Sequence, residues 1–208
     1  MPRSKTKRKA RSSGGRSMTW GGPSGARGRR WNFVILAGIV LAAMFGAYAW
    51  WASERIERAF MVRAAEGEGA LERVEPIPSQ GRTHLDRGQT YAYQDHFPTS
   101  GPHDPTWTPP GVYRQPQRAT ELVHALEHGN IVIYYDAPSP DAMQRLDRWA
   151  ALYDDQWSGM VVTPAAGLGE AIVLTAWAKR LELDSFDPAA AAAFIDAYRG
   201  RGPEHPVR

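Results

Sequence analysis

From Trp31 to Trp51 the chain reads WNFVILAGIVLAAMFGAYAWW, 21 positions without a charge. At about 1.5 Å per residue, a helix of that length crosses a hydrocarbon core of about 30 Å. Trp31 at one end, and Tyr48, Trp50 and Trp51 at the other, stand where interfacial aromatics stand. Beyond this run the pattern changes. From Ser53 to Glu75, the apolar residues Ile56, Phe60 and Val62 are set among Glu54, Arg55, Glu57, Arg58, Glu66, Glu68, Glu72 and Arg73. This predicts a helix continuing from the apolar span, broken near Gly67 and Gly69, then a linker ending at Pro76 and Pro78. A globular domain is expected from near Gly81.

Within that domain Thr90 to Tyr93 reads as a short strand. Phe97 to Pro116 holds Pro98, Pro102, Pro105, Pro109, Pro110 and Pro116, so it predicts a long ordered loop packed by Trp107 and Tyr113. A short helix is expected from an N-cap at Thr120 to a left-handed cap at Gly129. Ile131 to Tyr135 reads as a buried strand. Pro138, Ser139 and Pro140 lead into a helix reaching about Tyr153, with Met143, Leu146, Trp149, Ala150 and Tyr153 on one face. Met160 to Thr163 and Ala171 to Trp177 read as strands joined through Gly167 and Gly169. Asp187-Pro188 opens a last helix to Tyr198, stopped by Gly200 and Gly202. The order strand, helix, strand, helix, strand, strand, helix predicts one α/β or α+β sandwich with a mixed sheet. A thioredoxin-like arrangement is the named expectation.

Charge decides how the apolar run is used. Residues 1–30 carry ten basic residues and no acid; against a formal +3 for the whole chain, the other 178 residues sum to −7. The basic segment is also rich in Gly and Ser, which predicts disorder. The positive-inside rule then puts residues 1–30 in the cytoplasm, 31–51 across the membrane as a retained anchor, 52–79 as a helical linker, and 80–208 outside. A cleavable signal peptide is the competing reading of the same run. The partners implied are the membrane, anionic lipid beside the basic tail, and a protein of the envelope. Nucleic acid is the disfavoured target of the tail.

The chain has no cysteine, which excludes disulfides, thiol chemistry and thiolate-held metal. It has six histidines, five of them between His84 and His128. His124 and His128 share one helix face at i, i+4, a spacing at which two neutral imidazoles chelate one ion. His103 follows a rigid Ser100-Gly101-Pro102 turn. The expected metal ligands are His103, His124 and His128, with His84 as a fourth. All-imidazole coordination suits Zn or Cu and does not separate them. Glu127 completes an H-x-x-E-H segment, the order found in inverzincin peptidases, and is the candidate acid/base group of a hydrolase. Glu170, Glu182 and Asp184 are the carboxylates open to such an enzyme as a third ligand. Against that reading, the helix is short, and Glu127 lies roughly 100° round it from His128.

The run from Pro98 to Tyr135 resembles bacterial proteins of the domain of unknown function 3105 family. The resemblance rests on Pro98-Thr99-Ser100-Gly101-Pro102-His103, Gly111-Val112-Tyr113, and Val123-His124-Ala125-Leu126-Glu127-His128-Gly129 leading into Ile131-Val132-Ile133. It extends to Gly81-Arg82-Thr83-His84, Leu174-Thr175-Ala176-Trp177 and Gly202-Pro203-Glu204, about residues 80 to 205. His96 departs from the pattern. The resemblance implies an anchored extracytoplasmic domain and supplies no reaction. Three functions follow as expectations: a divalent-metal-binding module, a metal-dependent hydrolase or peptidase, or a metal-free structural domain of the envelope.

Overall fold

The computed structural model describes residues 26–86 and 88–208; most of the basic segment lies outside the described residues. The chain divides into two units, one up to Tyr48 and one from Ala49 to Arg208. Helix α1 spans Ala26–Glu66. Its most apolar 18-residue window has a mean hydropathy of 2.1, and none of that window is buried. By length and composition it is able to cross a membrane. From Trp31 to Trp51 its large apolar side chains all stand exposed, which in water would be costly and in lipid is favoured.

The second unit is built on a mixed six-stranded sheet in the order β1-β6-β5-β3-β4-β2. The strands are β1 Glu75–Pro76, β2 Gly111–Val112, β3 Ile131–Tyr135, β4 Met160–Pro164, β5 Ile172–Ala176 and β6 Lys179–Leu183. β2 and β3 each run parallel to β4, while β5 pairs antiparallel with both β3 and β6. Helices α2 (Ala119–His128), α3 (Pro140–Leu152) and α4 (Pro188–Tyr198) pack on this sheet, together with the end of α1 from Ala49. From β2 onward the element order is the predicted one with one strand added, β6 between β5 and α4, and with a different first strand; the fold is α+β.

Strand alternation divides the core. On one face Ile131, Ile133, Met160, Val162, Ile172 and Leu174 meet Leu146 and Trp149 of α3 and the Ala190–Ile195 stretch of α4. On the other, Val132, Tyr134, Val161 and Val173 meet Leu122, Ala125 and Leu126 of α2. Successive strand side chains point to opposite faces, so one five-residue strand such as β3 serves both layers. Among the described residues α2 is the one helix in the second layer, and its outer face carries the site.

Several expectations need correction. Thr90 to Tyr93 is not a strand. The pairing it was expected to supply comes from β2, two residues inside the proline-rich loop, where the parallel neighbour β4 holds Gly111 and Val112 in register. β6 follows β5 through a tight turn at Trp177 and Ala178, with Ala178 left-handed at φ 57°. α2 is capped by Arg118 rather than Thr120. The helical stretch that continues from the apolar span also contributes to the core. Phe60 is 1% exposed and packs edge-on against Trp149 and Tyr153. Beyond Glu66 the chain turns through a 3-10 helix, Glu68–Arg73, and reaches the sheet edge as β1.

Candidate metal centre

α2 presents its sheet face through Leu122, Ala125 and Leu126, which leaves His124, Glu127 and His128 on the far side. At 3.6 residues per turn, Glu127 (i+3) lies roughly 60° to one side of His124, and His128 (i+4) roughly 40° to the other. The helix therefore offers one central imidazole flanked by a carboxylate and a second imidazole. All three are buried, at 3–4% exposure. The H-x-x-E-H spacing led to the same residues. It did not reveal that Glu127 and His128 serve opposite sides of His124.

The proline-rich loop brings His103 and His84 to the Glu127 side. Gly101, at φ 121°, turns the backbone so that His103 Nδ1 lies 2.8 Å from the Gly101 carbonyl. His84 and His103 form a parallel bridge, closed by Leu85 N–H to His103 O at 2.7 Å and His103 N–H to Thr83 O at 3.0 Å. Asp104 is tied to the first turn of α2 through its N–H to Thr120 O, and its carbonyl lies 2.7 Å from His124 Nδ1. A carbonyl oxygen only accepts, so Nδ1 carries the proton in both His103 and His124. In each neutral ring the Nε2 lone pair then faces inward. Backbone carbonyls orient metal-bound imidazoles in this way.

One ring nitrogen each of His84, His103 and His124 and a carboxylate oxygen of Glu127 all lie within 4.8 Å of one another. His103 Nε2 is 2.9 Å, and His84 Nε2 3.7 Å, from Glu127 Oε2. His103 is fully buried, and its Nε2 makes no satisfactory hydrogen bond despite that short approach. With Nδ1 protonated, two lone pairs face each other there, an arrangement that calls for a proton or a metal cation between them. Donors about 2.0–2.1 Å from a tetrahedral zinc stand roughly 3.3 Å apart, and the observed separations bracket that value.

The His128 side is built by the end of the chain. Gly129 caps α2 in the left-handed conformation at φ 100°. The backbone at Gly202 then passes against the helix end, with Gly200 N–H donating to Gly129 O at 2.8 Å and Glu204 N–H to Glu127 O at 3.3 Å. Arg82 holds the same segment through the Pro203 carbonyl at 3.2 Å. Glu204 Oε2 comes 3.0 Å from His128 Nε2 and 3.8 Å from His124 Nε2. Those three residues form a second close group of donors. Trp157 and Trp107 pack on the His128 ring at centroid distances of 4.2 and 4.7 Å. Sequence reasoning missed Glu204 as a donor. Its only trace was the Gly202-Pro203-Glu204 motif, with no spacing to tie it to the helix.

The remaining candidates lie elsewhere. His96 is exposed against Phe97, and His205 is exposed with its ring near Trp157. Glu182 pairs with Arg180 at 3.1 Å, and neither Glu170 nor Asp184 belongs to either donor group. Arg118 pairs with Asp104 and Glu121.

A family model described as "Protein of unknown function (DUF3105)" matches residues 84–208. The chain belongs to the DUF3105 family. No curated protein and no solved structure matches it. In this DUF3105 domain the matched region holds both carboxylates and all four converging imidazoles.

Electrostatics keeps the centre ready for a cation. Burial lowers the His124 imidazole to about 4 from the usual 6.5, and His128, His103 and His84 oppose its charging further. Burial also lowers His128, against the opposing pull of Glu204. Near pH 7 the His124 ring is therefore neutral. A folded-state pKa below the unfolded one means the unfolded chain binds the extra proton between pH 6.5 and 4. The metal-free protein should lose on the order of 2–3 kcal/mol as pH falls through that window. Denaturant midpoints at pH 7.5 and 4.5 check this, and His124→Gln should flatten the difference. Equal slopes for the native chain and the variant would remove His124 as the cause.

Proposed function

We propose that this DUF3105 domain is a divalent-metal-binding module held at the membrane by α1. The observation that carries the reading is the convergence of His84, His103, His124 and Glu127 within 4.8 Å. The lone pairs of His103 and His124 are already turned inward by carbonyls of their own loop. Three imidazole nitrogens and one carboxylate oxygen suit Zn(II) or Cu(II), and neither group contains a soft sulfur donor to favour Cu(I). The hydrolase reading needs Glu127 free to move protons, whereas its carboxylate stands among the donors, 2.9 Å from His103 Nε2. Binding without turnover therefore fits this geometry better.

Full-length protein purified in detergent without a histidine tag should retain Zn or Cu at one ion per chain or more, by elemental analysis. The double variant His103→Ala/His124→Ala should lose it. A folded native chain free of both metals would refute the reading.

The placement follows from the charge pattern. Residues 1–30 are proposed to be cytoplasmic and in contact with anionic lipid, with the metal centre outside. A reporter fused after Arg208 should be active only as an extracytoplasmic marker, and cytoplasmic activity would reverse this orientation.

A further inference from the structure

We infer that the centre takes two divalent ions side by side, not one. This rests on the metal-binding reading above. The two donor groups share His124, whose Nδ1 is committed to Asp104 O, so its single inward lone pair serves one ion. Once that lone pair is assigned to the Glu204 side, the six residues divide evenly. His84, His103 and Glu127 form one set, and His124, His128 and Glu204 the other.

Each set is two imidazoles and one carboxylate, and the dimensions repeat. Glu127 Oε2 lies 2.9 and 3.7 Å from the Nε2 atoms of His103 and His84. Glu204 Oε2 lies 3.0 and 3.8 Å from those of His128 and His124. The sets adjoin, with the His124 ring centroid 5.0 Å from those of both His84 and His103. A single four-donor ion would leave His128, 3% exposed between two indoles and facing a carboxylate, without a purpose. Two ions use every donor. Three protein ligands per ion also leave coordination positions for water. Two dications against two carboxylates carry a net +2, so the ligand class this centre would accept between them is hydroxide or a small oxyanion such as phosphate.

Metal-stripped full-length protein in detergent, titrated with Zn(II), should bind two ions that survive gel filtration. Glu204→Gln and His84→Ala should each bind one. His84 is half exposed, so its replacement disturbs packing little and decides the matter even if Glu204→Gln misfolds. Loading with Cu(II) should give the half-field electron paramagnetic resonance signal of two nearby coupled spins, absent in both variants. One ion per native chain, or two in folded His84→Ala, would overturn the two-ion centre and leave the metal-binding reading standing. No ion in the native chain would overturn both.

Discussion

Saturating zinc should stabilise the folded chain by about 4 kcal/mol when free metal exceeds the dissociation constant a thousandfold. For a unit of 160 residues, that corresponds to a rise in melting temperature of roughly 8–16 °C. The effect is large because the ion does two things at once. Across the two donor groups it ties loop to helix and helix to chain end, none of which is joined by a disulfide. It also removes the juxtaposition of His103 Nε2 and Glu127 Oε2 at 2.9 Å, which without a cation or proton is repulsive. A chelator added to the protein as purified should reverse the shift. The lowered pKa values of His124 and His128 make protons poor competitors at those two ligands, so at their side the stabilisation should persist at pH 6. Identical melting curves with zinc and with chelator, at pH 7.5, would show that a proton rather than a metal fills the gap.

Most of the fold was legible because its signals are local. Ser139 caps α3, with its hydroxyl accepting from Ala142 N–H at 3.2 Å and proline in the first turn. Asp187 does the same for α4, accepting from Ala189 and Ala190. Gly129 and Gly200 stop their helices in left-handed conformations. What was not legible depends on distant partners. β2 is two residues long and exists because β4 lies beside it. β6 carries Lys179, Arg180 and Glu182 in five residues, a polar pattern that reads as surface. Only pairing with β5, and the network of Arg180 with Asp95, Glu75 and Glu182, makes it a strand. Phe60 looked like one apolar residue on a charged helix, since nothing nearby announces Trp149 as its contact.

The same division holds at the centre. The pair His124 and His128 came from a four-residue spacing, which helix geometry converts directly into proximity. His103 came from a rigid turn, and the structure brings it to the helix by the contact of Asp104 with Thr120 and His124. Glu127 lies about 100° round the helix from His128, so the spacing alone did not place it in the same site. That angle is retained, and it is what lets the two residues serve opposite sides of His124. Glu204 lies 76 positions beyond His128 in the sequence and reaches it only because two glycine backbones meet at the helix end.

Gly202→Ala should therefore cost about 3 kcal/mol or more and dislodge Glu204 from His128. A Cβ at position 202 would lie 2.2 Å from Glu127 O, 2.2 Å from Gly129 N and 2.6 Å from His128 C. All three are backbone atoms of the α2 terminus, so no side-chain rotation relieves the clash. α2 is itself buried and does not give way. Overpacking of this kind costs about 1–3 kcal/mol. The segment that moves also gives up the hydrogen bonds from Gly200 N–H to Gly129 O and from Glu204 N–H to Glu127 O, at about 1 kcal/mol each. Gly69→Ala is the control, since that position has open space around it and no left-handed backbone. Melting temperature should fall for Gly202→Ala and hold for Gly69→Ala. The metal retained by Gly202→Ala should be confined to the His84, His103 and Glu127 side, where a further His84→Ala replacement removes it. A Gly202→Ala protein with native stability and native metal content would show that the chain end does not seat on α2 as the geometry requires.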